Sequence, residues 1–479
     1  MSRQIRIVLG IFTALLLLII ANLSWVQIFG AQKISDNTAN NRGMVRQYAI
    51  QRGEILTADG EVAAQSVQTT SQYKYQRVYP MGPLFADMTG YDSWRYGRTG
   101  LERKYNQDLL GEGNTTFRSW LNGLLGKSRR GNSIVMTADS RLQRTATEAL
   151  GDQKGAVVAL DPRTGAVLAC VTYPTYNPNL AVPGSNDDKQ AAWNALIADP
   201  NQPFIDRATE GLYPPGSSFK VVTAAGALDN GTVTPDTQFD CTGTYHIPQF
   251  GNHSIPDFNT SGHGQISFET ALIVSCNVTF AQVAIKMGAP AFVVAAEAFG
   301  FNKVIPYTLP VAKCKVQDAA SMDLLALASA GIGQGQDLAS PLQMAMVAAA
   351  VANGGTMMKP FAVSEVRDYN GTTLQRFGPE EWGSAMKEET AATLTAMMVK
   401  VVSRGTGTAA QIDGVDVAGK TGTAETGVPG AAHAWFISFA PANNPKIAVA
   451  VVVENGGGGG SVAAPIARQV MEEALSLSR

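Results

Sequence analysis

Ser217 and Lys220 stand three residues apart in the segment Tyr213-Pro214-Pro215-Gly216-Ser217-Ser218-Phe219-Lys220. Two prolines and a glycine end one element, and the apolar run over residues 219–228 that follows reads as a buried central helix opened by Ser217. Helical positions i and i+3 share a face, so the hydroxyl can meet the amine. A lysine on so apolar a helix is costly to keep charged, which drives its pKa down and suits it to be the general base for a serine. The helix N-terminus adds N–H groups facing any oxyanion formed at Ser217. The chemistry implied is nucleophilic acyl transfer through a serine ester.

Two further segments could serve that chemistry. Ser275-Cys276-Asn277 lies between the apolar runs 271–274 and 278–284, where Asn277 is equally suited to cap the following helix. Lys420-Thr421-Gly422-Thr423 occurs once, on a strand-like run, where Lys420 could meet a carboxylate and Gly422 would let a peptide backbone approach. Each pattern alone is weak. Ser71-Gln72-Tyr73-Lys74 and Ser384-Ala385-Met386-Lys387 repeat the Ser-x-x-Lys spacing, and Ser35-Asp36-Asn37 repeats the second pattern, but none opens or joins an apolar helix. The ordered set Ser-x-x-Lys, Ser-x-Asn, Lys-Thr-Gly is the informative signal.

The elements that must position these residues follow from the apolar pattern. Residues 156–160 read as a buried strand, 161–165 as a turn and 166–172 as a returning strand. A helix-rich stretch covers residues 267–352. Residues 415–424, 434–440 and 447–454 form an antiparallel meander, and 464–475 a closing amphipathic helix, with Gly456 to Gly460 as a flexible connector. Residues 34–154 differ in texture, with short strand-like pieces and basic residues, and 80–96 shows no apolar period and reads as mostly loop.

At the N-terminus, residues 7–21 carry no charge and the apolar character continues to Phe29, a spanning length where about 20 residues are needed. Arg3 and Arg6 precede the run without an acidic residue, which sets the N-terminus in the cytoplasm. A cleaved signal peptide fits less well, because Phe29-Gly30-Ala31 puts a bulky residue in the cleavage pattern. The expected organisation is therefore a cytoplasmic tail (1–6), a transmembrane anchor (7–29), a pedestal (30–154) and an acyl-transfer domain (155–479). The formal net charge of −2 and 16% charged residues in 479 argue against a nucleic-acid partner.

Four cysteines, Cys170, Cys241, Cys276 and Cys314, would lie where disulfides persist. Their spacing matches no metal motif and leaves three full pairings open. Cys170 and Cys276 sit in apolar runs and read as small core residues, leaving Cys241–Cys314 as the pair to test. His246, His253 and His263 share one loop-rich region but have no zinc-motif spacing, so no metal and no cofactor is expected. His433 reads as structural.

Together these motifs make the chain resemble the class B penicillin-binding proteins, and among them the actinobacterial penicillin-binding protein A type. The resemblance runs almost end to end. It includes Arg52-Gly53-Glu54-Ile55 with Asp59-Gly60, Gly97-Arg98-Thr99-Gly100-Leu101-Glu102, residues 155–178, Gly331-Ile332-Gly333-Gln334-Gly335, Ala352-Asn353-Gly354-Gly355 and His433-Ala434-Trp435-Phe436. Asp206, before Arg207-Ala208, stands where that family usually has Asn. The resemblance implies a mixed α/β (α+β) serine transpeptidase fold: an antiparallel sheet flanked by helices, a helical lobe, an N-terminal pedestal and a single transmembrane helix.

It also implies roles. Ser217 is the acylated nucleophile, Lys220 its base, Ser275 a proton relay and Asn277 a holder of a substrate amide. Lys420, Thr421 and Thr423 bind the terminal carboxylate, and the N–H groups of Ser217 and Thr423 form the oxyanion hole. The implied reaction cross-links peptidoglycan stem peptides ending in D-Ala-D-Ala, with β-lactams as covalent inhibitors. A membrane glycan polymerase of the shape, elongation, division or sporulation type is the implied partner, since no glycosyltransferase domain reads from the first 150 residues. The same motifs serve β-lactamases, which lack an anchor and pedestal, and carboxypeptidases, which pass the acyl group to water. A non-catalytic β-lactam sensor or division scaffold would not need all three motifs intact.

Overall fold

The computed structural model describes residues 3–25, 42–71, 73–112, 129–182, 187–247, 250, 253–428 and 430–477. The last residues of the expected anchor (26–29), Phe29-Gly30-Ala31, Ser35-Asp36-Asn37 and Gln72 lie outside them. Arg3–Trp25 forms helix α1, whose most apolar 18 residues have a mean hydropathy of 2.6, and none of its residues is buried. Its 23 residues make it about 35 Å long, sufficient for a hydrocarbon core. Arg3 and Arg6 belong to the helix itself rather than to a separate tail.

The half from residue 155 onward is built on a five-stranded antiparallel sheet of β1 (Gly155–Leu160), β2 (Val167–Tyr173), β3 (Ala418–Ala424), β4 (His433–Ala440) and β5 (Ile447–Val453). The spatial order is β3-β4-β5-β1-β2, which leaves β3 with a free edge. Every residue of β1 and β5 is buried, because helices cover both faces and each strand can be apolar throughout. In chain order these helices are α2 (Ser140–Leu150), α3 (Lys220–Asp229), α4 (Phe268–Val274), α5 (Asn277–Met287), α6 (Pro341–Ala352), α7 (Glu388–Arg404) and α8 (Ala463–Leu477). Helices α2 and α8 pack on one face, and α6, buried nearly all round, packs on the other. The expected hairpin, meander and closing helix are all present. The glycine connector is not a loose tether. A Cβ on Gly459 would lie 2.1 Å from the Trp435 carbonyl oxygen and 2.3 Å from that of Gly422, so only glycine lets the backbone pack on the sheet here.

The preceding half contains a six-stranded sheet. Its order is Thr373–Arg376, Val363–Arg367, Ser133–Met136, Ile55–Leu56, Val62–Gln68 and Tyr75–Val78. Two of these strands, Val363–Arg367 and Thr373–Arg376, come from within the 155–479 segment, so the two halves share a sheet. Residues 80–96 are not mostly loop: Gly82–Phe85 is a 3₁₀ turn and Ala86–Thr89 a short helix, both too brief to show a period.

Under this sheet, Glu102 is fully buried between Arg52 (Nε–Oε2 2.6 Å) and Arg77 (Nε–Oε1 2.5 Å), and Asp92 pairs with Arg98 at 2.5 Å. Burial opposes the Glu102 charge, but the Arg77 and Arg52 guanidiniums hold its carboxyl below the usual range. Three residues of the quoted N-terminal motifs, Arg52, Arg98 and Glu102, thus meet in one ionic cluster. Glu102→Ala would leave two buried guanidiniums facing each other and is expected to destabilise the chain by about 3–5 kcal/mol. Denaturation of the full-length protein in detergent measures this, and a loss below about 0.5 kcal/mol would contradict the account.

Candidate active site

The Tyr213–Gly216 turn is pinned from three sides. Tyr213 exchanges backbone hydrogen bonds with Ala339 (3.0 and 2.8 Å), Gly216 N–H donates to the Gly333 carbonyl (2.9 Å), and Trp435 Nε1 on β4 donates to the Pro214 carbonyl (3.0 Å). Ser217 does not open the α-helix directly. Gly216–Phe219 is a 3₁₀ turn that runs into α3 at Lys220. With three residues per turn, positions i and i+3 eclipse, which aligns Ser217 and Lys220 more closely than an α-helix would. Ser218 is buried and spends its hydroxyl on the Pro215 carbonyl (2.6 Å). Ser217 is half-buried and its hydroxyl makes no hydrogen bond among the described residues. No hydrogen bond joins it to Lys220 in this structure.

Lys220 is fully buried, and its Nζ donates to the Ser275 carbonyl (2.6 Å) and Asn277 Oδ1 (2.7 Å), with Ser275 Oγ at 3.3 Å. Ser275 occupies the turn between α4 and α5 in the left-handed region (φ 64°), a strained conformation for a non-glycine residue. That conformation turns both its carbonyl and its hydroxyl toward Lys220. From the other side, Lys420 Nζ on β3 donates to Ser275 Oγ at 2.9 Å. A continuous path therefore runs Lys220–Ser275–Lys420. Burial and the neighbouring Lys420 push the Lys220 amine well below its usual pKa, against the pull of Asp257, and burial brings Lys420 down to about 7.

Asn277 is the first helical residue rather than the cap, a place taken by Cys276, and its amide donates to the Pro256 carbonyl (3.0 Å). Thr421 is buried beside Thr406 (Oγ1–Oγ1 2.6 Å), whereas Thr423 is exposed on the free edge of the sheet. Gly422 serves internal packing: a Cβ there would lie 2.8 Å from Trp435 Cβ and 3.0 Å from Ser218 N, pushing away the turn that carries Ser217. All eight predicted residues, Ser217, Lys220, Ser275, Asn277, Lys420, Thr421, Gly422 and Thr423, thus come from the turn, the α4–α5 junction and β3, which meet at one place. Ser71 and Ser384 do not join them: Ser71 Oγ bonds the Tyr73 carbonyl and Ser384 Oγ that of Met386.

The cysteine expectation is corrected. Cys241 is bonded to Cys276, with Cα atoms 7.0 Å apart, while Cys170 and Cys314 are free and buried. Cys276 is thus not only a core residue, and Cys314 instead contacts Ser340. The pairing arises because the chain folds back over residues 238–267, with Gln238–Cys241 pairing with Gly264–Ser267, which brings a distant cysteine to the middle of the Ser275–Asn277 motif. Asp257 Oδ2 lies 3.1 Å from Cys241 Sγ. Among the described residues these three are the one cluster of possible metal ligands, and the disulfide engages both sulfurs; the three histidines do not form such a group.

Sequence reasoning missed three contributors. Asp257 is buried and acts on Lys220, Thr406 supports Thr421, and Glu454 lies at the end of β5. Glu454 accepts from Arg207 Nε (2.9 Å), Tyr213 OH (2.9 Å) and Lys154 Nζ (3.1 Å). Burial works against its charge, but those donors hold its pKa below normal. His433 accepts from Asn455 N–H (3.1 Å) and packs edge-on against Tyr213, which fits a structural part. Because Glu454 ties β5 to the turn that carries Ser217, Glu454→Gln is expected to slow any acylation at Ser217 by penicillin roughly ten-fold, the worth of one charge-assisted hydrogen bond. Glu454→Asp should recover part of the rate. Equal rates in Gln and wild type, measured with a fluorescent penicillin, would contradict the positioning role.

Residues 155–472 match the penicillin binding protein transpeptidase domain, and residues 52–134 the penicillin binding protein A dimerisation domain. The peptidoglycan D,D-transpeptidase PbpA of Mycolicibacterium smegmatis is 36% identical over 99% of both chains, and that of Mycobacterium tuberculosis is equally similar, at 36% over 99% of both. Among solved structures, the ceftriaxone acyl-enzyme complex of penicillin-binding protein A from M. tuberculosis superposes with a TM-score of 0.85 at 37% identity, covering 90% of this chain and 100% of that one. Pseudomonas aeruginosa PBP2 reaches 0.76 at 32% identity, covering 89% and 96%. The chain belongs to the penicillin-binding protein transpeptidase family.

Proposed function

We propose that this family member is a peptidoglycan D,D-transpeptidase that works through a Ser217 acyl-enzyme and is inhibited by β-lactams acylating the same residue. The observation that carries the reading is the buried Lys220–Ser275–Lys420 path beside the Ser217 hydroxyl, which is engaged in no hydrogen bond among the described residues. Neutral Lys220 takes the Ser217 proton as Oγ attacks the penultimate D-Ala carbonyl. The oxyanion sits against the N–H groups of Ser217 and Thr423, which are fixed before reaction and need no reorganisation. When the C–N bond breaks, the proton passes through Ser275 to the departing D-Ala amine. Lys420, with Thr421 and Thr423, holds the terminal carboxylate, and Asn277 the side-chain amide of the donor peptide. An amine of a second stem peptide then attacks the ester, loses its proton to Lys220 and restores Ser217. A β-lactam ring opens by the first step and leaves the same ester.

In this reading α1 spans the membrane once with its N-terminus cytoplasmic, supported by Arg3 and Arg6, and the catalytic domain acts outside. The anchor and pedestal are then the surfaces available to a membrane glycan polymerase. Replacing α1 by an unrelated apolar helix should weaken co-purification with that polymerase, and unchanged recovery would count against it. The activity is tested by supplying donor pentapeptide and acceptor amine together and measuring cross-linked product and free D-Ala. Cross-links in step with D-Ala are expected. D-Ala release with no cross-link would make the enzyme a carboxypeptidase.

A further inference from the structure

One end of the six-stranded sheet carries turns that the chemistry above does not use. The pairing registers put the connection of Val62–Gln68 to Tyr75–Val78 and that of Val363–Arg367 to Thr373–Arg376 at this same end. A parallel bridge between Gln51 and Arg130 extends the two middle strands outward there. The chain from α1 enters the pedestal here as well. Arg42–Gln47 is a short helix, and the Tyr48 carbonyl just after it accepts from Tyr75 N–H (3.1 Å). The link from α1, residues 26–41, can reach about 55 Å at most, so α1 tethers this end of the sheet.

The side chains at this end are of two kinds. Tyr73 stacks on Trp94 (ring centroids 6.0 Å apart), which is 41% exposed, and Tyr369 on the other turn is 57% exposed. Each such ring has an apolar body and a polar tip, the make-up of residues found at membrane–water interfaces. Lys74, Arg95 and Arg130 are exposed beside them and have no acidic partner among the described residues. Arg130 lies over the Tyr369 ring at 5.9 Å. Of the acids on these connections, Glu112 pairs with Arg129, and Asp368 accepts from the N–H groups of Asn370 and Thr372 in its own turn. Basic charge stays in excess with the exposed Glu54 counted. The chain that leaves at Glu112 and returns at Arg129 is apolar and basic in sequence, with Phe117, Trp120, Leu121, Leu124 and Leu125 and no acidic residue over 113–128. Rings interleaved with unpaired cations favour lipid over a protein partner, because the centre of a protein interface is poor in charge.

We propose that this end of the pedestal docks on the surface of a bilayer containing anionic lipid. The Trp94 and Tyr369 rings lie at headgroup level, and Lys74, Arg95 and Arg130 face the lipid phosphates. The inference rests on the reading of α1 as a membrane span. The two turns lie about 24 Å apart across six strands, so contact at both sets the sheet upright and fixes the height of the Ser217 turn above the membrane.

The test is spin labelling of the full-length chain in vesicles of equal parts phosphatidylcholine and phosphatidylglycerol. Thr70→Cys and Asn370→Cys place the label on the two turns, and Ala58→Cys places it on the turn at the opposite end of the sheet; all three positions are exposed. Cys170 and Cys314 are buried and Cys241 is bonded to Cys276, so the label goes to the new residue. The labels at 70 and 370 are expected to collide with a water-soluble nickel complex several-fold less than the label at 58. This protection should weaken in pure phosphatidylcholine and at high salt. Lys74→Gln/Arg95→Gln, each change worth about five-fold in the docked-to-free ratio on an anionic surface, should return the label at 70 toward the value at 58. Unchanged circular dichroism marks the fold of that variant as intact. Equal accessibility at 70, 370 and 58, no response to the charge changes, or protection seen only in native membranes that hold other proteins would each overturn the proposal. A label at Leu15→Cys that meets water rather than dissolved oxygen would instead sink the reading of α1 as a span. Protection at 70 and 370 when the chain is added to preformed vesicles would then still uphold docking, and its absence would overturn it.

Discussion

Ser217→Ala is expected to abolish covalent labelling by penicillin and to lower D-Ala release by a factor of about 10⁴ or more, the scale on which loss of an enzyme's nucleophile acts. The size follows from the local geometry. Ser218, one residue on, cannot substitute, because it is buried and its hydroxyl is committed to the Pro215 carbonyl. Ser275 cannot either, since its hydroxyl is shared between two lysines. What survives in the variant is the oxyanion site, which binds without reacting. The substitution removes one oxygen from a half-buried position, so circular dichroism and melting temperature should match wild type. Persistent labelling would move the nucleophile elsewhere, and loss of fold would leave Ser217→Cys as the cleaner variant, expected to retain labelling at a reduced rate.

Lys220→Ala is expected to slow acylation by about 10³-fold, within the range for loss of a general base together with what it positions. Lys220→Arg should not rescue it, because a guanidinium stays protonated and cannot accept the serine proton. The two lysines also predict a pH profile. The acylation rate rises with pH as Lys220, with its depressed pKa, loses its proton. It falls again as Lys420, brought to about 7, loses the charge that holds the substrate carboxylate. Lys420→Arg keeps that charge, so the alkaline fall should move to higher pH even if the maximum drops. Second-order acylation rates between pH 5 and 10 decide this, and an unchanged alkaline limb in Lys420→Arg would remove Lys420 from the scheme.

Much of this site was legible because its signals are local. The turn Tyr213-Pro214-Pro215-Gly216 and the apolar run after it mark the start of a buried helix wherever they stand, and Lys420-Thr421-Gly422 lies on a strand whose neighbours alternate with turns. Features set by distant contacts were not legible. Cys276 looked like a core residue because it sits among apolar residues, and its bond to Cys241 depends on an excursion of the chain over residues 238–267. Glu454 appeared only as the last residue of a strand, yet it joins Arg207, Tyr213 and Lys154 across the sheet. The sharing of one sheet between residues 55–136 and 363–376 has no sequence signature, since short edge pairs show no period long enough to read. The left-handed Ser275 is of the same kind: nothing in Ser-Cys-Asn announces it, and the two flanking helices impose it.

The central claim is that one hydroxyl in this chain, that of Ser217, carries the acyl group. Peptide mapping by mass spectrometry of the full-length chain trapped with penicillin G tests it most directly. One adduct per chain, on the peptide holding Ser217 and localised to that residue, is the predicted result; an adduct on Ser218, Ser275 or any other residue, or none at all on the folded protein, would contradict it.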